Sequence, residues 1–336
     1  MSPIRAAAIP ISRRSLLQQA GAAAVAPVLG CSQAFAQEWT PSKPVTLVLA
    51  TAAGGVADAV ARMMQQVLSD RLGQPVVVEN RPGAAGVIGA TSVAKAPPDG
   101  QTVLVNLEMH VINQLATAKA PYDAVHDFAP VSLLARIPHM IAVPSALKVS
   151  NVRDFVALAK AKPGTLNFGS PGRLTSVYLL SEEFKVRAGI DMLHVPYKGG
   201  PQVTQGLMTN EVQFAILSYP PFRAAIETGM VTPIAVAGEK RLAETPNVGT
   251  MVEQGFPGFI SHTWIGAFAP AGTPAPIIRR LHADFVAAMA DEKIRTSLVK
   301  AGFDPVASTP EELGTLVKKE AEHWGKFIKD NNIQFE

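Results

Sequence analysis

The sequence predicts an α/β protein built as two domains. Short β-branched runs alternate with helical patterns almost throughout, the arrangement from which βαβ units are assembled. Beyond a leader-like N-terminus some 300 residues remain, more than one hydrophobic core usually serves. Glycine-rich loops follow three of the predicted strands, at the strand ends where open α/β sheets hold their ligands.

Residues 1–36 read as an export signal. Ser12-Arg13-Arg14-Ser15-Leu16-Leu17 is a twin-arginine motif, a short apolar run spans 20–29, and Ala34-Phe35-Ala36 offers a small-x-small cleavage site. The apolar run is shorter than the roughly 20 residues a spanning helix needs. Val28-Leu29-Gly30-Cys31 loosely matches a lipoprotein box, in which Cys31, the single cysteine, would carry a lipid anchor. Cleavage after Ala36 is favoured because the pattern there is complete. Either product is expected in the periplasm. The full chain has 30 Lys and Arg against 27 Asp and Glu, and removal of Arg5, Arg13 and Arg14 balances them. That balance gives no reason to expect nucleic acid as a partner.

The first strand is expected at 45–49, leading through Gly54-Gly55 into a helix whose apolar face is Val60, Met63, Met64, Val67 and Leu68. Gly73 closes that helix, and a second strand starts at 75–78. Further strands are expected at 102–105, 140–143, 166–168, 192–195, 212–217 and 231–236, with helices between them arguing for parallel sheets. A helix over 276–290 follows. The last helix, about 311–329, has a capping box of Thr309 and Glu312 with Pro310 in its first turn.

Three loops carry the candidate chemistry. They are Ala50-Thr51-Ala52-Ala53-Gly54-Gly55-Val56-Ala57-Asp58, Asn80-Arg81-Pro82-Gly83-Ala84-Ala85-Gly86, and Gly169-Ser170-Pro171-Gly172-Arg173-Leu174-Thr175-Ser176. Glycines let backbone N–H groups approach a ligand, and a helix N-terminus adds positive potential, so such loops suit an anion such as a carboxylate. Gly-x-x-x-x-Gly-Lys-Ser/Thr is absent. An enzymatic reading, a periplasmic hydrolase or isomerase, would have to use Glu108, His110, His194 and Lys198. The sequence has neither a Gly-x-Ser-x-Gly elbow nor a His-Glu-x-x-His helix, and no spaced metal-ligand set. No catalytic residue, metal or cofactor is expected.

Trp39-Thr40-Pro41-Ser42-Lys43-Pro44-Val45, Gly54-Gly55-x-x-Asp58, and Val77-Val78-Glu79-Asn80-Arg81-Pro82-Gly83-Ala84-x-Gly86 together resemble the Bug family, the extracytoplasmic solute receptors of tripartite tricarboxylate transporters. The likeness continues through Pro121-Tyr122-Asp123, 127–131, His194-Val195-Pro196-Tyr197-Lys198-Gly199 and 267–274, and covers the chain beyond the leader in order. The resemblance implies a two-lobed periplasmic binding protein of type II-like form, its α/β domains joined by crossover hinge strands. Lobe one would be 37–138 plus 262–336, and lobe two 139–261. It implies a monomer that binds a small carboxylate and delivers it to membrane subunits of the transporter; a receptor that signals to a membrane sensor kinase is the alternative. Carried over by motif, the ligand residues would be Gly54, Gly55 and Asp58 with Gly169, Ser170, Gly172, Thr175 and Ser176, and Tyr197 and Lys198 lie in a matching motif. Asp58 has capping the next helix as an equal alternative.

The chain departs from that pattern where the ligand would sit. Two loop prolines are Ala50 and Ala53, and a hydroxyl residue is Val56, with Thr51 left as a nearby donor. A Thr-Asn-Gly stretch is Asn106-Leu107-Glu108, an Asn-Gly pair is Arg173-Leu174, and an aspartate gives way to Leu217-Ser218. Arg173 can grip a carboxylate bidentately, and Val56, Leu107, Leu174 and Leu217 would suit an aromatic ring or alkyl chain. The expected ligand is a carboxylate with an aromatic or apolar body.

Overall fold

In the first part of the chain, β1 (Val45–Leu49), β2 (Val76–Asn80) and β3 (Thr102–Leu107) lie parallel, with β1 between the other two. α1 (Val56–Leu72) and α2 (Val87–Ala94) make the connections, and α3 (Met109–Ala116) follows β3. The computed structural model describes residues 39–116 and 120–335. The twin-arginine motif, Cys31 and the Ala34-Phe35-Ala36 site lie outside them.

β4 (Phe128–Pro144) is 17 residues long and belongs to both halves of the molecule. Residues 128–138 pair antiparallel with β9 (His262–Pro270), which also pairs with β3. Residues 139–144 pair instead with β7 (Phe214–Ser218) and β8 (Val231–Val236). Beyond β7 lie β5 (Asn167–Ser170) and β6 (Leu193–Pro196), parallel to one another, with β5 parallel to β7. The second half is wrapped by α4 (Val152–Ala161), α5 (Ser176–Ala188), α6 (Gly200–Met208) and α7 (Tyr219–Glu227). The chain then returns through β9, α8 (Ala275–Ala290), α9 (Glu292–Lys300), the short β10 (Asp304–Pro305) on β4, and α10 (Pro310–Asp330).

The expected strands outside β4 form within a residue or two of their predicted bounds. Two expectations need correction. The sheet is mixed rather than parallel, because every pairing made by β4 and β9 is antiparallel. Only the last third of β4 and nothing of β9 is visible as a strand in the sequence reading. β4 contains Pro130, Arg136 and Pro138, and its ladder to β9 shifts register twice, so it lacks the uninterrupted period-two pattern of a strand.

The helix ends follow their sequence signals. Gly73 stops α1 with φ +66°, the left-handed geometry that glycine adopts without penalty. At α10 the capping box is complete: the Glu312 N–H donates to Thr309 Oγ1 at 3.2 Å, and the Thr309 N–H donates to Glu312 Oε2 at 2.9 Å. The second-half core is aromatic, with Phe184 and Phe214 stacked at 4.9 Å and Phe155 beside both. α10 touches both halves. Leu313 and Val317 pack with Trp264 and Phe268 of the first half, whereas Trp324 joins the second-half core with Phe327 and Ile328 against it.

The crossing between halves is tied by His139. Its backbone N–H donates to the Ser261 carbonyl at 3.1 Å, and its ring nitrogens meet Ser261 Oγ at 2.9 Å and Thr263 Oγ1 at 3.0 Å. Burial pushes the imidazole down to about 3, so it stays neutral at physiological pH.

Because Trp324 fastens the end of α10 to the second core, Trp324→Ala is expected to lower unfolding stability by about 3–5 kcal/mol. Urea unfolding measures this, and a loss below about 1 kcal/mol would show that α10 does not bind the halves together.

Candidate functional site

The carboxyl ends of β1, β2 and β3 share one edge because the three strands are parallel, and so do those of β5, β6 and β7. The two edges meet. Glu108, in the turn after β3, accepts the Ser176 hydroxyl at 2.8 Å from the first turn of α5. The turn after β3 and the loop after β5 therefore touch at a boundary between the halves.

The loop after β1 is braced by Asp58. Its buried carboxylate accepts the Gly54 N–H at 3.0 Å and the Arg62 guanidinium at 3.0 Å. Arg62 reaches on to Asn80 at 3.1 Å, and the Asn80 amide donates to the Thr51 carbonyl at 3.2 Å. The loops after β1 and β2 are thus tied through one polar chain. Arg62 first, then the Gly54 N–H, holds the Asp58 carboxyl down to about 2 against the opposing effect of burial. Asp58 does not cap α1, whose cap residue is Gly55 with no side-chain cap bond; it lies in the first turn and braces the preceding loop through Gly54. Gly54 has φ +80°, Gly55 is the cap residue of α1, and the buried Thr51 hydroxyl has no protein partner.

The loop after β2 turns through four successive positive φ values, at Gly83, Ala84, Ala85 and Gly86. Alanine disfavours that region, so the turn needs outside support. The Asn113 amide supplies it by donating to the Ala85 carbonyl. Close packing supplies the rest: a Cβ on Gly89 would stand 2.7 Å from the Ala50 Cα and 2.8 Å from the Arg81 carbonyl.

The loop after β5 is also self-braced. Thr175 caps α5, accepting the Tyr178 N–H at 3.3 Å and donating to the Gly172 carbonyl at 2.7 Å. Ser170 Oγ accepts the Gly172 N–H at 3.2 Å and meets His194 Nε2 at 2.8 Å. That serine–histidine distance suits a nucleophile and base, but Ser170 is fully buried and His194 Nδ1 has no orienting partner. Burial, with Arg173 and Lys185 adding to it, holds His194 down to about 4.

The remaining expected residues divide. Arg173 and Leu174 are exposed on the lobe-two loop, Val56 is exposed at the start of α1, and Lys198 is exposed between β6 and α6. Gly169 lies buried within β5, where a Cβ would stand 3.2 Å from the Tyr197 ring. Tyr197 turns inward and also rests on Gly206, and burial with Glu211 raises its hydroxyl to about 12. Leu217 belongs to the second-half core and Leu107 is half-buried beside the first-half core. Glu108 and His110, which an enzymatic reading would use together, are separated. His110 sits on α3, stacked with Tyr122 and flanked by Phe128 and Phe268. The side chains missed are Arg62 and Asn113, together with the bracing role of Asn80 inside its predicted loop; they hold the loops in place. Among the described residues, no cluster of His, Cys, Asp or Glu is placed to hold a metal ion, and no helix is long and apolar enough to cross a membrane.

Comparison with known proteins adds a family. Residues 60–333 match the family described as "Tripartite tricarboxylate transporter family receptor". A UPF0065 protein from the tcbD-tcbE intergenic region of Pseudomonas sp. (strain P51) is 36% identical over 294 residues, covering 87% of this chain and 88% of that protein. An R. palustris protein solved with adipate has a TM-score of 0.74 at 32% identity, over 88% of this chain and 99% of its own. MatC from Rhodopseudomonas palustris, solved with bound malate, has a TM-score of 0.71 at 30% identity, over 86% of this chain and 99% of its own.

Two substitutions test the bracing. Asp58→Ala is expected to cost about 1–2 kcal/mol at pH 7, the half-exposed Arg62 keeping the value small. Since the folded state lowers the Asp58 value, that contribution is present above about pH 4 and lost as pH falls toward 2. Urea melts of wild type and variant should therefore converge in acid. Gly89→Ala, which drives a methyl into backbone, is expected to lower the melting temperature and weaken ligand binding together, read by calorimetry.

Proposed function

This chain belongs to the tripartite tricarboxylate transporter receptor family, and from that premise we propose that it captures a small carboxylate between its two lobes and hands it to the membrane subunits of such a transporter. The lobes in this reading are 37–138 plus 262–336 and 139–261, and the leader sends the protein through the twin-arginine route to work as a periplasmic monomer. The observation that carries the proposal is the meeting of the two parallel strand edges at Glu108 and Ser176. It brings the start of α5 to the edge from which α1 also leaves, and helix N-termini attract anions. The adipate and malate held by two neighbours agree with a carboxylate as the ligand class.

Within that class we favour an acid with an aromatic or apolar body. Arg173 and Leu174 are exposed side by side on the loop after β5, and Val56 is exposed on the opposite half. A guanidinium for the carboxylate beside apolar surface for the body matches such a ligand. Thr51, Gly54, Gly55, Gly172 and Ser176 would complete its surroundings, while Asp58, Ser170, Thr175 and Tyr197 shape the loops. The proposal includes no catalytic step. Closure around the ligand excludes water, strengthens the polar contacts and presents a distinct form to the membrane partner.

A thermal-shift screen against aliphatic and aromatic carboxylates, with sugars and amino acids as controls, tests both levels. Ligand at about 100 times its Kd adds about 2.7 kcal/mol, enough to raise Tm by a few degrees. Binding confined to citrate-like acids would reject the apolar body. Arg173→Ala is expected to weaken the selected ligand by about 1.5–3 kcal/mol in titration calorimetry, and unchanged affinity would remove Arg173 from the site.

A further inference from the structure

Glu108 is an acid at the floor of a boundary expected to receive an anion, so its own charge matters. The carboxyl belongs to the first half and receives the Ser176 hydroxyl of the second at 2.8 Å. Its other oxygen, Oε2, is buried without a protein partner. The elements around it offer few compensating groups. α5 supplies Ser176, and β9 supplies the Trp264 backbone N–H. α10 supplies a second acid, Glu320, whose carboxyl accepts the Trp264 indole N–H at 2.9 Å. On α3, His110 is enclosed by aromatic rings, and burial holds it down to about 4, so it brings no charge. A buried carboxylate needs several donors or a cation, whereas a neutral acid does not.

We propose that Glu108 is a proton-binding latch between the lobes: their contact holds its carboxyl as the neutral acid, and parting them returns it to water as carboxylate with release of one proton. The latch rests on the two-lobed receptor reading, since only halves that separate would alternately bury and expose this group. Capture of an anion is then coupled to proton uptake on Oε2. The incoming carboxylate meets a neutral floor instead of a second negative charge, and Ser176 keeps donating to Oε1.

The direction follows from burial, which raises Glu108 from 4.5 to about 7, while Ser176 and the backbone amides oppose the rise. A group raised in the closed form favours closure below its open-state value, and the advantage is lost as pH rises through 7. From pH 8 to pH 6 the closing equilibrium should gain about tenfold. Glu320, raised by burial and by the neighbouring Glu108 to about 8, is controlled separately by Glu320→Gln.

Infrared difference spectroscopy without and with adipate, wild type against Glu108→Gln, reads the site directly. Beside the band of Glu320, which both proteins share, a second protonated-carboxyl band is expected at pH 6 in wild type alone, its midpoint lifted above 4.5 by the closed molecules and reaching about 7 once adipate closes the lobes. Ser176→Ala, which removes a donor to the carboxylate from the opposite lobe, should move that midpoint upward. Calorimetry with adipate at pH 7, in buffers of different ionisation heat, should show proton uptake by wild type, rising to about half a proton as open molecules close, and none by Glu108→Gln. Absence of the second band at pH 6, a midpoint indifferent to Ser176→Ala, or equal proton uptake by both proteins would overturn the latch. Failure of adipate to bind would count against the carboxylate reading for that probe, and the infrared titration with Ser176→Ala would still decide the latch.

Discussion

β4 is the constraint on which the rest depends, because one continuous strand supplies a ladder to two sheets. Its first part is held by β9 and its last part by β7 and β8, so neither half can move without working the strand where it changes partner. His139 sits at that change, its ring bonded to the hydroxyls of Ser261 and Thr263 on the segment returning beside it. A neutral imidazole can donate from one nitrogen and accept at the other, and hydroxyls serve either role. The crossing is therefore fastened without buried charge, and it is insensitive to pH near neutrality.

From that crossing follow the positions of both sets of loops. Parallel strands on either side of β4 direct their carboxyl ends to a shared boundary, and the Glu108–Ser176 bond marks the place where they touch. The loops hold their form through long polar reach rather than regular structure. Asp58, Arg62 and Asn80 connect two of them, and Asn113 supports the left-handed alanine turn of the second. α10 adds a second link between the halves, with its start in one core and Trp324 in the other. A pocket of about 410 Å³ also lies between the halves, where Glu320, His323 and Trp324 line it together with Leu180, Glu183 and Phe259.

Much of the loop framework around the candidate site was legible because it is made of local signals. Gly54, Gly83, Gly86 and Gly172 mark turns that need positive φ, and Thr175 and Thr309 mark helix starts through their own side chains. What escaped was decided by partners distant in sequence. Tyr197 stands in a loop motif yet packs inward because Gly169 and Gly206 leave room for its ring. Leu217 could have faced a ligand or a core, and the second-half core claims it. Glu108 and His110, two residues apart, part company because the strand ends between β3 and α3 and sends one to the boundary and the other among aromatic rings.

By itself the sequence determined the α/β class, the order of most elements, the capped ends of α1 and α10, and the loops from which a site could be made. These rest on periodicity and on backbone preferences that each residue carries wherever it is placed. Only the tertiary structure decided that the sheet is mixed, that β4 serves both halves, and that a buried glutamate from one half meets a serine from the other. Strand pairing and burial depend on which distant segments come into contact, and no local pattern encodes the desolvation of Glu108.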